Sequence, residues 1–527
     1  ELTNGLPSGD NVGRIGLDIS KSNPDILYAF YDKHMDEGED FSFLGIYKTN
    51  DGGSSWNQTN DNNITGMNSR FGWYCGQVRV DPTNPNRAYA LGVDLVRTEN
   101  GGNSWEAIAG YWNSNEIHVD HHALIIDPNT GYILEGNDGG LFTSTNYGDT
   151  WTHINNIPLT QFYAIEVDFQ QPQQIYGGTQ DNNTIRTLTG NLDDWHSILG
   201  GDGFYTLVNP QNSDIIYAEY QWGILYRSTN GGDWMENISY YWEEDRTNWS
   251  SPFVMDPADP STLYFGTYRV WKTISGGNNW LPISSDLTNG DDGSSYHTIT
   301  TLAVSPHFSE FILAGTDDAH IHLTVDGGNN WSEISAIIPD RWITRMAFDP
   351  FHENTIYVTL SGFRWDEPLS HVFRSTDLGE NWESISSNLP ELPVNCIVLD
   401  PEEEGHIYIG TDAGIFYTSN GGVYWQSLSL NLPTVPVIDL KIHNPTRTLI
   451  AGTYGMSAHS LALDQYLSGD VNQDSVVNIQ DIIIILQTIL ENIELTDNQF
   501  DLADMNGDGT LNILDVVIVV NVILGAA

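Results

Sequence analysis

Apolar and polar residues alternate in short runs over residues 1–463. Residues 394–429 show the pattern as VNCIVLDP, HIYIGT, GIFYTSNGG and WQSLS. Each run is rich in β-branched or aromatic residues and is bounded by turn residues, so each predicts a strand. The four-run unit recurs to give ten units. The tenth, VIDLKIHNP, TLIAGTYG and SAHSLAL over residues 437–463, offers only three strands. Beyond residue 470 the period changes. Two polar loops appear, each followed by an apolar run of helical length. The first of these, DIIIILQTIL (481–490), is too short to span a bilayer and begins with Asp.

A second pattern is locked to the first. TNDGGSSW (49–56), TENGGNSW (98–105), STNYGDTW (144–151), TISGGNNW (273–280), TVDGGNNW (324–331), STDLGENW (375–382) and TSNGGVYW (418–425) share the form Ser/Thr-x-Asp/Asn/Ser-x-Gly-x-x-Trp. STNGGDW (228–234) reads as one residue short, and TGNLDDW (189–195) as a worn copy. The closing tryptophans, with Trp195 and Trp234 among them, recur every 39 to 51 residues, the length of one four-stranded propeller blade. The physical reading is a hairpin turn. Asp or Asn caps it, Gly takes a positive φ, and Trp packs between neighbouring sheets.

This motif resembles the Asp-box (BNR) repeat of sialidases, of family 74 glycoside hydrolases such as xyloglucanases, and of sortilin/Vps10 propellers. The resemblance implies an all-β multi-bladed propeller over residues 1–463 in which the box residues are scaffold. Ten units in one ring would resemble sortilin. Part of a double seven-bladed protein would resemble family 74. ELTNGLP at the start matches the residues after Trp in other units (ESISSNLP, QSLSLNLP), so Glu1–Thr3 reads as a fourth strand. It either closes unit ten or ends a blade upstream. The chain opens without a signal-peptide pattern, as a processed or partial chain would. A sialidase is excluded, because its Phe/Tyr-Arg-Ile-Pro start is missing.

Charge narrows the partners. Nineteen Lys and Arg face 70 Asp and Glu, a formal net charge of −51. That field repels nucleic acid and anionic membranes, and it either suits a secreted protein in a salty or calcium-rich medium or serves solubility alone. Cys75 and Cys396 define neither a disulfide framework nor a metal motif.

In such a blade the repeated turn joins strands three and four on one face. Loops joining strands two and three, and loops between blades, lie on the other. HVDHH (118–122) leads into unit three and GNDGG (136–140) joins its second and third strands. TQFY (160–163) and GGTQDNN (177–183) take those places in unit four, and GGDGF (200–204) leads into unit five. All five stretches are therefore expected on one face, over blades three to five. Their glycines let backbone N–H groups approach a ligand. Asp120, Asp138, Asp181 and Asp202 are placed to accept hydrogen bonds from sugar hydroxyls, and two of them to act as general acid and base. Asp138 and Asp202 are the candidate catalytic pair. Family 74 enzymes use two aspartates and contain a Gly-rich Asp loop like GNDGG, which is what the resemblance implies for Asp138. His118, Asp120, His122, Tyr163, Gln180 and Asp181 are the candidate substrate-binding residues, with Tyr111, Trp112, Phe162 and Phe204 as stacking surface. Strand alternation puts His118, Asp120 and His122 on one side and His121 on the other. HVDHH reads as pocket lining, as a structural turn, or as a metal site without an identifiable distant partner. YYWEEDRTNW (240–249), entering unit six, is an acidic aromatic loop that extends a cleft or is simply an exposed insertion. No HExxH, GxSxG, P-loop or GxGxxG stands in a suitable context.

DVNQDSVVNIQD (470–481) and DMNGDGTLNILD (504–515) are twelve-residue loops with oxygen-bearing residues at positions 1, 3, 5, 9 and 12. A hard cation requires such a set around a tight turn, with position 7 offering its carbonyl. With Asp at position 12 and an apolar helix after each loop, residues 467–527 resemble a type I dockerin. The resemblance implies two Ca²⁺ ions. One is held by Asp470, Asn472, Asp474, the Val476 carbonyl, Asn478 and Asp481, the other by Asp504, Asn506, Asp508, the Thr510 carbonyl, Asn512 and Asp515. It also implies a cohesin-type module as partner, the alternatives being a non-cellulosomal scaffold or packing against its own chain. Position 6 of loop one is Ser475 rather than Gly. Positions 10 and 11 are Ile479-Gln480 and Ile513-Leu514 where cellulosomal dockerins often carry Ser-Thr. The division expected is a propeller over 1–463, a linker over 464–469 and a calcium-binding module over 470–527. The functional expectation is a dockerin-tethered propeller acting on or binding extracellular polysaccharide. The alternative is a sortilin-like binding or structural propeller without catalysis.

Overall fold

A computed structural model describes residues 4–35, 40–110, 117–294, 296–428, 432–463, 469–472, 474, 476–490, 492–506 and 509–524. It forms two compact units, Glu1–Ile157 and Pro158–Ala527. Nine sheets have four strands and one has three, and each is an antiparallel meander. No described helix is long and apolar enough to cross a membrane.

The first unit contains three of the sheets, whose leading strands are Val12–Ile19, Gln77–Val80 and His121–Ile126. Its cores lie between successive sheets. One groups Tyr28, Phe30, Ile46, Val78 and Trp105, the next Tyr89, Leu95, Leu124, Ile133 and Phe142. Glu1–Thr3 lie outside the described residues. Just after them, the Asn4 carbonyl accepts the Trp56 N–H at 3.0 Å, and Leu6 packs with Trp56 on the first sheet.

The second unit contains seven sheets, from Phe162–Val167 through Ala458–Ala462. Its first and last blades meet. Ile165 N–H donates to Asp439 Oδ2 at 3.1 Å, and Ile450 joins Phe162, Ile165 and Val167 in one apolar cluster. Gly452 permits the contact, since a Cβ there would stand 2.6 Å from Ile165 Cγ2. Seven blades therefore close on themselves. A ring of ten would instead place the last blade beside the first sheet of the chain. The seventh is the three-stranded blade, Val437–His443, Thr448–Thr453 and Ala458–Ala462, as the run count predicts.

The repeated turn has one geometry in all copies but TGNLDDW, where Thr187 Oγ1 accepts the Gly190 N–H three residues on and Asp194 reaches back to Leu188 and Thr189. Ser or Thr Oγ accepts the N–H of the glycine four residues on, as Thr49 does from Gly53 at 3.0 Å and Ser375 from Gly379 at 2.8 Å. The Asp or Asn Oδ1 accepts the N–H four residues further on, as Asp377 does from Asn381 at 2.8 Å. Tryptophan then bridges blades: the Trp331, Trp382 and Trp425 indoles donate to the carbonyls of Ile283, Ile334 and Ile385, each at 2.8 Å. STNGGDW departs from expectation. Its length is normal, because Trp234 N–H reaches Asn230 Oδ1, so Trp234 stands one place before the packing position and is 72% exposed. Met235 occupies the place tryptophan holds elsewhere.

The C-terminal segment forms helices Ile479–Ile489, Asp497–Ala503 and Ile513–Ile523 around Val471, Ile485, Ala503, Val516 and Val519. Asn478 and Asn512 cap the first and last helices, each in a reciprocal capping box with the Asp three residues on. Residues 464–468 of the expected linker, Ser475 and Asp508 lie outside the described residues.

Candidate functional site

In the first unit the polar residues of HVDHH and GNDGG come together. His121 is fully buried and pairs through Nδ1 with buried Glu135 Oε1 at 2.7 Å. His122 Nε2 meets Asp138 Oδ1 at 2.7 Å, and Tyr74 packs edge-on against its ring. Regular alternation does not extend back through this stretch, because the strand begins at His121 and Asp120 has φ +63°. His118 reaches the cluster by lying over Gly139, where a Cβ would stand 2.4 Å from His118 Cβ. Burial raises the Asp120 carboxyl above its ordinary range and the Asp138 charge raises it further. The hydrogen bond to Asp138 holds the His122 imidazole above its usual value. The cluster thus sets two carboxyl groups and an imidazole side by side, the kinds of group general acid–base chemistry uses. Tyr111 and Trp112 lie outside the described residues.

In the second unit Asp181 N–H donates to Asp202 Oδ1 at 2.8 Å, and Asn183 bridges to Asp202. Asp202 is 6% exposed, so its carboxylate braces the loop between two blades. Asp181 and Asn183 have φ of +59° and +76°, which this bracing holds in the left-handed region. The Tyr454 hydroxyl donates to Gln180 Oε1, and Tyr163 stacks on Phe204 with centroids 4.8 Å apart.

Tyr163 also lines a cavity of about 500 Å³ with Trp342, Phe363, Arg364, Asp412 and Tyr454. It adjoins a depression of about 230 Å³ lined by Tyr205, Thr300 and Arg345. The lining comes from strand entries and from loops joining strands two and three, on the face opposite the repeated turns. Phe363 is 75% exposed at the rim, and the Arg364 guanidinium lies 3.7 Å over the Tyr296 ring. The sequence reading missed Trp342, Phe363, Arg364, Asp412 and Tyr454. A signal for two of them was present in SGFRWDEPL (361–369), a longer second-to-third loop than its neighbours, carrying Phe, Arg and Trp.

Below this cavity the innermost strands carry charge. Arg345 Nη2 lies 2.9 Å from Asp439 Oδ1, with its Nη1 donating to the Tyr205 hydroxyl at 3.2 Å. Lys441 Nζ lies 3.7 Å from Glu166 Oε2. These residues come from four blades, so the pairs tie the ring across its middle. Cys396 sits among them as a free, buried thiol pushed up to about 12 by burial and by Asp439. It is therefore no nucleophile at neutral pH. Cys75 is likewise buried and forms no disulfide.

The C-terminal loops fit a hard cation. Asp470, Asp481 and Asp515 are buried, and residues 464–527 contain no Lys, Arg or His to neutralise them. Backbone donors set the geometry. Asp481 Oδ1 accepts from Val471 N and Asn472 N, and Oδ2 from Asn478 N at 2.8 Å. In loop two, Asp515 Oδ2 accepts from Asn512 N at 2.9 Å and Asp504 Oδ2 from Gly509 N at 2.7 Å. Asn478 and Asn512 donate side-chain N–H to the Val476 and Thr510 carbonyls at 3.1 Å. Ile479, Ile513 and Leu514, at the positions after each loop's ninth residue, are exposed.

Residues 468–524 match the model of the dockerin type I domain, a calcium-binding domain. The chain is similar to a probable oligoxyloglucan-reducing end-specific xyloglucanase of Neosartorya fischeri, 26% identical over 39% of this chain and 26% of that protein. It is similar also to the xyloglucanase Xgh74A of Acetivibrio thermocellus, 23% identical over 60% of this chain and 38% of that protein. The chain thus spans about a quarter to two-fifths of the length of these curated relatives. Among solved structures, a GH74 enzyme of Niastella koreensis aligns at 15% identity over 86% of this chain and 84% of that one, with a TM-score of 0.24. YCF48 of Cyanidioschyzon merolae aligns at 13% identity over 58% of this chain and 96% of that one, with a TM-score of 0.45. The chain therefore carries a type I dockerin domain over residues 468–524, preceded by propeller blades, and is similar at low identity to xyloglucanases.

Proposed function

We propose that this protein acts outside the cell on a β-glucan-type polysaccharide such as xyloglucan, tethered through its dockerin domain to a cohesin-type partner. The observation that carries the reading is the aromatic cavity on the loop face of the seven-bladed ring. Tyr163, Trp342, Phe363 and Tyr454 offer flat apolar surface to the C–H faces of pyranose rings, while Arg364 and Asp412 offer polar partners to the hydroxyls. Gln180 and Asp181 extend this surface. In the first unit His118, Asp120 and His122 are the hydroxyl-binding candidates and Asp138 the candidate catalytic carboxylate. Two Ca²⁺ ions in the dockerin loops hold the domain in its partner-binding form, presenting Ile479, Ile513 and Leu514 to the cohesin.

The test is calorimetric binding of xyloglucan together with reducing-sugar release. Trp342→Ala is expected to weaken binding at least tenfold, and Asp138→Asn to abolish release while leaving binding intact. Absence of both binding and release across a panel of β-glucans would overturn the reading. A non-catalytic carbohydrate-binding protein is the second reading. Asp202 favours it, because that carboxylate, the other candidate of the catalytic pair, is nearly buried and engaged by Asp181 N–H. Binding without release would select it.

A further inference from the structure

The fourth blade of the second unit carries a histidine pair that neither the repeat nor the proposed cavity uses. His320 directly precedes strand Ile321–Thr324 and His322 lies within it, two residues apart and so on the same side. Glu333, on the neighbouring strand Ser332–Glu333, is the register partner of His322. Among the described residues these three form a set whose ligand atoms all lie within 4.8 Å of one another.

The surrounding hydrogen bonds decide where the lone pairs point. His322 Nε2 lies 3.0 Å from the Leu287 carbonyl oxygen, which only accepts, so Nε2 carries the proton. His322 Nδ1 then bears a lone pair, and it is buried without a hydrogen-bond partner. His320 Nε2 faces Asn289 Oδ1 at 3.0 Å, again an acceptor, and its Nδ1 faces Glu333 Oε1 at 2.8 Å, so Nδ1 donates a proton there that a metal ion would displace to solvent on binding. The Ser335 hydroxyl donates to that same carboxylate oxygen at 2.8 Å and fixes its orientation.

We propose that His320 Nδ1, His322 Nδ1 and a Glu333 carboxylate oxygen form a three-ligand site for a borderline divalent transition metal, of which Zn²⁺ is the representative. The arrangement has the outer partners such sites require: each imidazole gives its second nitrogen to an oxygen acceptor, which sets the tautomer and aims the ring. Two imidazoles and one carboxylate select Zn²⁺, Co²⁺ or Ni²⁺ over Ca²⁺, which takes oxygen ligands. Tetrahedral bonds of about 2.0–2.1 Å place ligand atoms roughly 3.3 Å apart, within reach of small side-chain rotations here. Three protein ligands leave one position for water or a ligand oxygen. Leu287 and Asn289 belong to the connection between the strands Leu281–Pro282 and Ile299–Val304, so the ion fastens that inter-blade segment to the fourth blade.

The experiment titrates Zn²⁺, and Co²⁺ as a spectroscopic stand-in, into the full chain held in saturating Ca²⁺. The wild type is expected to bind one more equivalent of Zn²⁺ than His322→Phe and to show Co²⁺ ligand-field bands that this variant lacks. Zn²⁺ is expected to raise the melting temperature of the wild type and not of the variant. Glu333→Gln keeps the strand register and is expected to weaken Zn²⁺ binding at least tenfold, which provides the reading if His322→Phe misfolds. His118→Ala, remote in sequence, is expected to leave this equivalent intact. Equal Zn²⁺ uptake by wild type, His322→Phe and Glu333→Gln would overturn the site and reduce the cluster to a His320–Glu333 ion pair beside a packed imidazole. So would a Co²⁺ spectrum that His322→Phe leaves unchanged.

Discussion

The seven-bladed ring and the C-terminal module are both built from repeats, yet they use acidic residues in opposite ways. In the repeated turns each carboxylate faces donors of its own loop: Asp377 accepts from the Asn381 backbone and side chain, and Asp326 likewise from Asn330. These hydrogen bonds lower both carboxyls below their ordinary value. The ring then gains its stability from buried Trp, Ile and Val between blades. In the module, carboxylates converge within a segment that has no basic side chain, around a core of only a few fully buried residues. A strongly acidic composition thus reports two unrelated devices, and charge count alone does not separate them. The first is expected to need only the chain, and the second to need a cation to complete its folding.

The largest effect expected from this difference is on chelation. Removing Ca²⁺ should unfold residues 468–524 and leave the ring folded, giving two transitions by calorimetry where only one moves with calcium. Val476 packs against the apolar cluster holding Leu428, Leu440 and Leu449, so a small shift of the ring's transition should accompany it. A single transition moving as one unit would show that this contact couples the two parts fully. Asp515→Ala should abolish Ca²⁺ binding at loop two, read as the loss of one equivalent in a calcium titration.

The ring should respond to the reverse treatment. Trp425 is 2% exposed and its indole N–H is satisfied by Ile385. Trp425→Ala should therefore cost about 3–5 kcal/mol in denaturant unfolding without changing calcium affinity. Trp234→Ala should fall within about 0.5 kcal/mol, because that side chain is largely exposed. Similar losses at both positions would mean that the motif's tryptophan stabilises by something other than inter-blade burial.

The smallest effect is on acid stability. Asp51 in the first unit is lowered from 3.8 to about 2 by hydrogen bonds from Ser55 and Thr49. A carboxyl whose folded value lies below its unfolded one contributes stability that is present above the unfolded value and lost as pH falls through the folded one. The window is therefore from about pH 4 down to about pH 2. Asp51→Asn, which copies the Asn100 and Asn420 turns, should flatten acid unfolding across that window. An unchanged acid profile would show that the turn carboxylates do not set acid stability.

Much of this was legible because the decisive contacts are short in sequence. The turn closes within eight residues, and each calcium loop within twelve, so spacing alone identifies both. Local reading failed where a position's place in the turn, or a contact between blades, decides the outcome. Trp234 matches the motif's ending, but only its hydrogen bond to Asn230 reveals that it stands one place early and faces solvent. The cavity residues Trp342, Phe363 and Tyr454 lie in loops that look ordinary one at a time.

Local sequence specifies the strands, the repeated turns, the missing strand of the last blade, and the oxygen ligands of the C-terminal loops. Each follows from periodicity or from side chains meeting their own backbone a few residues away. The three-dimensional arrangement makes the blades close after seven, through Ile165, Asp439 and Gly452, and brings Tyr163 and Tyr454 into one cavity. It also brings His320, His322 and Glu333 together, with His322 directly across from Glu333. Those outcomes depend on the angle accumulated between successive twisted sheets and on the register between strands, which no short window of sequence contains.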